Sequence, residues 1–203
     1  QGEGGVTPAT DEFMKGVRAL CDEKNLLMIV DEVQCGMGRT GTWFAWQGYG
    51  VQPDLFTCAK ALGGGLPMGA LVSNAKLADV FTPSSHASTF GGNPVAAAAA
   101  NAVIAVIEKE GLLANATKVG ALLKEALQSF VDKYDKVLEV RGKGLMVGAT
   151  LDAAHDAHDV VDALMERHIV ANACNNNVLR LLPPLTITTS DVDTLISALK
   201  SLA

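Results

Sequence analysis

The chain has 203 residues, of which 49% are hydrophobic and 19% are charged, and its mean hydropathy is positive. This composition is typical of a compact α/β protein with a well-buried core, and it excludes a disordered or fibrous chain. The formal net charge is −6 and no run of Lys or Arg stands out, so nothing favours nucleic-acid binding. A small anionic substrate stays compatible with this charge, because local charge can oppose the net balance.

The cysteines and the apolar stretches set further expectations. None of the four cysteines forms a C-x-x-C pair or lies at metal-ligand spacing from a histidine, so we expect reduced thiols, no metal and a cytoplasmic location. The most apolar stretch, residues 94–107, is too short to span a bilayer, and no charged-then-apolar leader precedes it. Residues 1–5, Gln-Gly-Glu-Gly-Gly, contain no initiator methionine. We therefore expect a fragment whose N-terminal part is absent.

The first half of the chain predicts one helix followed by short strands. Thr7-Pro8 or Thr10 can cap the helix, and four apolar residues then fall on one helical face: Phe13, Val17, Leu20 and Cys21. The apolar run 26–30, which ends in Asp31-Glu32, predicts a parallel strand buried on both faces. Residues 54–58 and 69–72 predict two more strands, separated by glycine-rich loops at 36–41 and 63–65.

The second half predicts a different arrangement. Asn93-Pro94 suits the start of a helix over 95–109; Gly111 ends it, and a second amphipathic helix runs to about Tyr134. The expected buried face of that helix is Leu113, Leu122, Leu123, Leu127 and Val131. An α+β unit follows, made of a hairpin over 137–141 and 145–151, a helix near 158–168, a strand at 178–182 and a helix from about Ser190. We place a domain boundary near residue 110.

Three features of the first half suggest chemistry when they are taken together. Asp31 ends a strand at the sheet edge where open α/β sheets bind ligands, although a lone Asp there more often caps a turn. Lys60 follows a strand and precedes a glycine-rich turn; it is either a solvated lysine or a desolvated amine that forms an imine with a carbonyl cofactor. Residues 88–94, Ser-Thr-Phe-Gly-Gly-Asn-Pro, suit a phosphate at a helix N-terminus, or are ordinary loop and cap residues.

Six blocks in this order resemble the class III aminotransferases, and the acetylornithine type most. The blocks are residues 1–5, 31–41, 60–65, 88–94, 141–145 and 180–184. The resemblance is to the C-terminal half of such an enzyme. It implies an α/β protein of the pyridoxal-phosphate-dependent transferase fold type I, with part of a mostly parallel large-domain sheet over 1–110. A linker helix and a small C-terminal α+β domain would occupy 111–203.

The resemblance also implies a site for pyridoxal 5'-phosphate. Lys60 would hold the cofactor covalently and then act as the base that moves the substrate proton, while Asp31 would pair with the protonated ring nitrogen. Thr89 would bind the cofactor phosphate across a dimer interface. The full implied cofactor-binding set is Asp31, Glu32, Val33, Gln34, Lys60 and Thr89, in which Val33 packs on the ring and Gln34 contacts its phenolic oxygen.

The implied substrate site consists of Ser88, Arg180 and Glu3. Arg180 would take a substrate carboxylate with its planar fork, or else form a structural salt bridge. Glu3 would pair with Arg180 in one of the two half-reactions, whose substrate must enter the site in a different way from the other. Arg39 and Arg141 are expected to be structural.

The implied reaction transfers an amino group from N2-acetylornithine to 2-oxoglutarate in arginine biosynthesis. A homodimer would act on small amino-acid and 2-oxo-acid substrates, with neither nucleic acid nor membrane as a partner. Open alternatives are another class III aminotransferase, for ornithine, succinylornithine, succinyldiaminopimelate or 4-aminobutyrate, and a related aminomutase. A catalytically silent fragment or assembly module is the alternative from a different class, because a sheet lacking strands leaves an unpaired edge.

Overall fold

The structure, a computed structural model, describes residues 1–131, 133 and 136–202. The chain divides into two compact units. The first unit comprises Ala9–Gly38 and Thr42–Gly111, and the second comprises Gln1–Pro8, Arg39–Gly41 and the chain from Leu112 onward. In the described part of the chain, no helix has the length and apolar character needed to cross a membrane.

The first unit opens with helix α1, Asp11–Lys24, which confirms the predicted helix. Thr10 caps it by accepting the N–H of Phe13 at 3.1 Å. The predicted face is wrong for Phe13 and Leu20, which are 62% and 51% exposed. The stripe that packs runs instead through Met14, Val17 and Cys21, against a small core of Met28, Tyr49 and Val51. Both stripes have helical spacing, and the sequence pattern alone does not separate them.

A three-stranded sheet follows, formed by β1 (Ile29–Asp31), β2 (Leu55–Cys58) and β3 (Ala70–Ser73). β1 pairs with β2 in parallel, and β2 pairs with β3 antiparallel. The three strands were predicted, but the expected burial of β1 on both faces is wrong. Ile29 is 62% exposed whereas Met28 before it is 5% exposed, because alternate side chains point to opposite faces and only one face packs against α1.

Asp54 connects the elements of this unit just before β2. Its carboxylate accepts hydrogen bonds from Arg18 Nη1 at 2.8 Å, the Met28 N–H at 2.9 Å and Asn74 Nδ2 at 3.0 Å. The donors come from α1, from the residue before β1 and from the residue after β3. One carboxylate therefore ties the helix to all three strands.

Helix α2, Pro94–Lys109, completes the first unit and confirms the predicted Asn93-Pro94 start. Asn93 Oδ1 accepts the N–H groups of Val95 at 2.9 Å and Ala96 at 3.3 Å. The helix packs against the short 3-10 turn Lys60–Gly63. A side chain at Gly64 would come within 2.9 Å of Val103, so the turn and the helix approach closely.

The second unit is an antiparallel sheet covered by helices. Its strands are β4 (Val137–Lys143), β5 (Met146–Leu151), β6 (Asn172–Cys174) and β7 (Val178–Leu181), in the order β4-β5-β7-β6. The helices are α3 (Leu112–Val131), α4 (Ala157–Met165) and α5 (Thr189–Lys200). The predicted hairpin, its three helices and β7 are confirmed, whereas β6 was not predicted. The expected end of α3 at Tyr134 lies outside the described residues.

The core of the second unit lies between α3, α5 and the sheet. Of the residues predicted for the buried face of α3, Leu123 and Leu127 are buried, whereas Leu113, Leu122 and Val131 are half-buried. Buried residues that the pattern missed on this helix are Leu112, Ala116, Val119 and Phe130. Gly120 makes the closest approach, because a Cβ there would lie 2.2 Å from the carbonyl oxygen of Gly144 in the β4–β5 turn.

Candidate active site

Asp31 is the last residue of β1, and its side chain is exposed at the sheet edge. Its Oδ1 accepts the Val33 N–H at 2.8 Å and the Thr57 hydroxyl at 3.2 Å. Within the described residues, its Oδ2 accepts no hydrogen bond. The carboxylate is therefore fixed through one oxygen and presents the other.

Glu32, the next residue, points the opposite way and is 1% exposed. Its carboxylate accepts the N–H groups of Ala45 at 3.0 Å and Trp46 at 2.9 Å, and the thiol of Cys35 at 3.1 Å. Burial, and then the charge of Glu32, raise the pKa of Cys35 to about 12. Both oxygens of the Glu32 carboxylate therefore accept hydrogen bonds from residues of the first unit.

Val33 and Gln34 continue the turn that leaves β1, and both are half-buried. The Val33 N–H donates to Asp31, so this turn folds back on the strand end. The turn closes at Gly36, whose N–H donates to the Glu32 carbonyl at 2.9 Å. A Cβ at Gly36 would lie 2.8 Å from that same carbonyl oxygen, so the turn leaves no room for a larger residue.

Lys60 begins the short 3-10 turn that follows β2. Its φ of 50° lies in the left-handed region, which is uncommon for a residue with a side chain and is a feature that clusters at functional sites. The residue is exposed, so the described residues do not supply the desolvation that one of the two sequence interpretations requires. The parallel pairing places Asp31 beside Thr57, and Lys60 follows β2 after Ala59, at the same edge of the sheet.

Ser88 and Thr89 lie in the exposed loop before α2. The Ser88 hydroxyl accepts the Gly91 N–H at 3.0 Å, which closes a tight turn. A cavity of about 300 Å³ lies beside this turn, and Ser88, Gly92, Asn93, Met68 and Ala96 are among the residues that line it. Thr89 is not one of them.

Arg180 and Glu3 belong to the second unit, and the structure brings them together. Arg180 Nη1 lies 2.5 Å from Glu3 Oε1, and Arg180 Nε donates to Asn172 Oδ1 at 2.9 Å. The Arg180 side chain is 11% exposed, whereas that of Glu3 is 77% exposed. Arg180 is therefore a fixed guanidinium with an exposed carboxylate as its partner.

Arg39 and Arg141 hold backbone segments of the second unit. Arg39 Nη1 donates to the carbonyls of Leu145, at 3.3 Å, and Pro183, and burial lowers its pKa. Arg141 donates through Nε and Nη2 to the carbonyl of Gly5. Both arginines have the structural contacts that the sequence led us to expect.

The site residues thus fall into two groups. Asp31 to Gln34, Lys60, Ser88 and Thr89 lie in the first unit, and Glu3 and Arg180 lie in the second. Sequence reasoning missed Thr57 and Asn172, which orient Asp31 and Arg180. Strand register was the signal available for Thr57, since a parallel partner of the 26–30 run must end near it; nothing in the sequence marked Asn172.

The donor set of the first unit fits pyridoxal phosphate. A fixed carboxylate with an available oxygen suits a protonated ring nitrogen, and a primary amine lies at the same sheet edge. A Ser-Thr loop and the N-terminus of α2, a helix of 16 residues, suit a phosphate group.

Comparisons with known proteins agree with this fit. The family model of class III aminotransferases matches residues 1–202. The acetylornithine aminotransferase of Caldanaerobacter subterraneus subsp. tengcongensis is 49% identical over 193 residues, which are 95% of this chain and 49% of that protein. A solved acetylornithine aminotransferase from Elizabethkingia anophelis shares 37% identity at a TM-score of 0.93, over 99% of this chain and 51% of that one. The ornithine aminotransferase of Toxoplasma gondii ME49 shares 36% identity at a TM-score of 0.93, over 100% of this chain and 50% of that one.

The fold is therefore that of the pyridoxal-phosphate-dependent transferases of fold type I, as the resemblance implied. The chain belongs to the class III aminotransferase family. It spans about half the length of the curated relatives that it matches.

Proposed function

We propose that the chain forms the pyridoxal-phosphate-binding part of an aminotransferase that moves an amino group from N2-acetylornithine to 2-oxoglutarate, in arginine biosynthesis. The observation that carries this proposal is the parallel pairing of β1 and β2, which sets Asp31 beside Thr57 at the edge from which Lys60 follows. The similarity to acetylornithine aminotransferases supports the choice of amino donor.

Each predicted cofactor residue keeps its role in this proposal except Glu32. When bound, pyridoxal phosphate supplies an electron sink for the carbanion that proton removal leaves. Lys60 holds the cofactor covalently and moves the proton at the substrate carbon, and Asp31 pairs with the ring nitrogen. Val33 packs on the ring, Gln34 contacts the phenolic oxygen, and Thr89 binds the phosphate. Glu32 is better explained as a buried anchor of the segment at Ala45, because protein groups already surround its carboxylate.

For the substrate, Arg180 binds a carboxylate, Glu3 competes for the same guanidinium, and Ser88 lies near the bound molecule. The 2.5 Å contact between Arg180 and Glu3 supports this assignment, since an exposed carboxylate can exchange with that of a substrate. We also propose that residues 1–110 are the C-terminal part of a large cofactor-binding domain and 111–203 the linker helix and small domain. The active protein is a homodimer in the cytoplasm, and its free cysteines are compatible with that compartment.

Amino-donor specificity tests the proposal. The protein, supplied with pyridoxal phosphate and 2-oxoglutarate, should form glutamate fastest from N2-acetylornithine when it is compared with ornithine, succinylornithine, succinyldiaminopimelate and 4-aminobutyrate. Omitting 2-oxoglutarate should stop the reaction; turnover without it would instead identify an aminomutase. Preference for another donor would reject the substrate while leaving the reaction class intact.

A silent assembly module is the second candidate, and exposed apolar side chains in the first unit favour it. Leu27, just before β1, is 57% exposed, and Ile29 and Leu71 on the small sheet are 62% and 49% exposed. Such surface is an association liability. A chain that associates with itself, but gives no visible absorption band with pyridoxal phosphate, would favour this candidate.

A further inference from the structure

The N-terminal segment of the chain, Gln1–Pro8, is folded onto the second unit. It is a tight turn, closed by the N–H groups of Gly5 and Val6 on the Gly2 carbonyl at 3.2 and 3.1 Å. Val6 is 2% exposed, and the thiol of Cys174 lies 3.4 Å from the Gly2 carbonyl oxygen. Glu3 belongs to this turn, so the position of the turn affects where the Glu3 carboxylate lies.

Arg141 is the charged side chain that holds the turn in place by hydrogen bonds. Its Nε and Nη2 donate to the Gly5 carbonyl at 3.0 and 2.5 Å, a two-pronged contact that fixes direction as well as distance. Its Nη1 donates to Thr150 Oγ1 at 2.5 Å and to Glu139 Oε2 at 2.8 Å. The guanidinium is therefore locked on β4 and β5 by one end and holds the turn with the other.

In the Glu3–Arg180 pair, Glu3 depends on the position of the N-terminal turn more than Arg180 does. Arg180 is 11% exposed and is oriented separately by Asn172. Glu3 is 77% exposed, so packing against its own side chain does little to hold it. A substrate carboxylate that binds Arg180 must displace Glu3 from Nη1. This displacement is harder when Arg141 holds the N-terminal turn firmly.

We propose that Arg141 is a positioning residue that sets the strength of the Glu3–Arg180 pair, and so the ease with which a dicarboxylate substrate gains access to Arg180. The inference rests on the proposed function. In this proposal Arg141 acts through its contact with Gly5, and through that on Glu3. Weakening the contact between Arg141 and Gly5 weakens the hold of Glu3 on Arg180, while Asn172 keeps Arg180 in place.

The test uses Arg141→Lys, which keeps the charge and removes the fork, on the full chain with pyridoxal phosphate. Binding of glutarate, an unreactive dicarboxylate, is measured by calorimetry. Arg141→Lys should bind glutarate about five-fold more tightly than the parent, the equivalent of one hydrogen bond. Glu3→Gln should give the same gain, and the double variant should add nothing. Hydrogen exchange at Gly5, Val6 and Thr7 should accelerate in Arg141→Lys.

Two further variants serve as a control and as a substitute for Arg141→Lys. Glu139→Gln keeps the contact with Gly5 and should leave both readouts unchanged. Gly5→Ala loosens the hold on the turn while Arg141 itself is retained, because Gly5 has a φ of 100° and its added Cβ would lie only 3.1 Å from Arg141 Nη2; it should repeat the gain if Arg141→Lys fails to fold.

Faster exchange without tighter glutarate binding would overturn the proposal, as would gains that add in the double variant or no glutarate binding at all. Transamination is measured separately. An absence of turnover alongside the predicted glutarate changes would reject the proposed reaction and leave the role of Arg141 standing.

Discussion

The carboxylate of Glu32 accepts the backbone N–H of Trp46 at 2.9 Å, in a position where the glutamate is 1% exposed. Because successive side chains of a strand point to opposite faces, this inward orientation of Glu32 accompanies the outward orientation of Asp31. The acidic pair that the sequence presents as one motif therefore divides into an anchor and a candidate cofactor ligand.

Removing the charge of Glu32 should change the thiol beside it. Burial and then Glu32 raise the pKa of Cys35 to about 12, so Glu32→Gln, which keeps the burial, should lower that pKa part of the way toward its ordinary value. Alkylation rates of Cys35 measured against pH report the shift, with Cys21 as the internal control. A Cys35 profile identical to that of the parent would contradict the account. Glu32→Ala should also lower the free energy of unfolding by about 2–4 kcal/mol, since two partly buried N–H groups lose their acceptor.

Thr57→Val should weaken the binding of pyridoxal phosphate. The hydroxyl of Thr57 holds Asp31 Oδ1 at 3.2 Å, and valine has the same shape without the donor. We expect an increase of about five-fold in the Kd for the cofactor, measured by absorbance titration. Thr57→Ser keeps the hydroxyl and should bind as the parent does. Equal affinity of all three proteins would show that Asp31 needs no such partner.

Asp54 should make the first unit sensitive to acid. The Met28 N–H, and then Arg18, lower the pKa of Asp54 in the folded state. Its stabilising contribution is thus complete above the ordinary aspartate pKa and is lost as the pH falls through the lowered folded value. Asp54→Asn should flatten this part of the pH–stability curve and cost about 1–3 kcal/mol at neutral pH, measured by urea unfolding.

A matched control for Asp54 is Asp22→Asn. Asp22 also pairs with Arg18, at 2.7 Å, but its side chain is 69% exposed. Exposed pairs contribute little, so the change in unfolding free energy should stay below about 1 kcal/mol. Equal losses in the two variants would show that the backbone N–H of Met28 does not distinguish them.

Gly120→Ala should destabilise the second unit. The added Cβ would lie 2.2 Å from the Gly144 carbonyl oxygen, which is backbone and cannot rotate away. We expect a loss of about 1–3 kcal/mol, or more if the β4–β5 turn cannot shift, measured by thermal unfolding. Gly16→Ala is the control, since nothing lies within 4 Å of its Cβ position on α1; it should stabilise by about 0.5–1 kcal/mol. A neutral Gly120→Ala would rule out the close approach.

Local signals in the sequence predicted much of the fold. Asn93-Pro94 predicted the start of α2 because both residues satisfy a helix N-terminus within the chain itself. Segments 137–141 and 145–151 predicted the β4–β5 hairpin because only the short stretch Gly142-Lys143-Gly144 separates them in the chain. The strand β6 was missed because Asn172–Cys174 is short and owes its pairing to β7, a contact that no local pattern encodes.

The sequence predicted the candidate site as a set of residues and not as a set of contacts. Spacing and resemblance selected Asp31, Lys60 and Arg180. The inward turn of Glu32 depends on the position of residues 45 and 46, which the chain brings back to the strand end. The hold of Arg141 on Gly5 spans 136 positions of sequence. Contacts of this kind arise from tertiary packing, so only the structure shows them.

Covalent trapping shows directly whether Lys60 holds the cofactor. The chain is incubated with pyridoxal phosphate, reduced with borohydride, digested and mapped by mass spectrometry, beside Lys60→Ala and Lys76→Ala, the latter replacing another exposed lysine of the same unit. The parent and Lys76→Ala should carry the reduced cofactor on Lys60, and Lys60→Ala should carry none. A label spread evenly over the lysines, or an undiminished label and full transamination in Lys60→Ala, would contradict this role of Lys60.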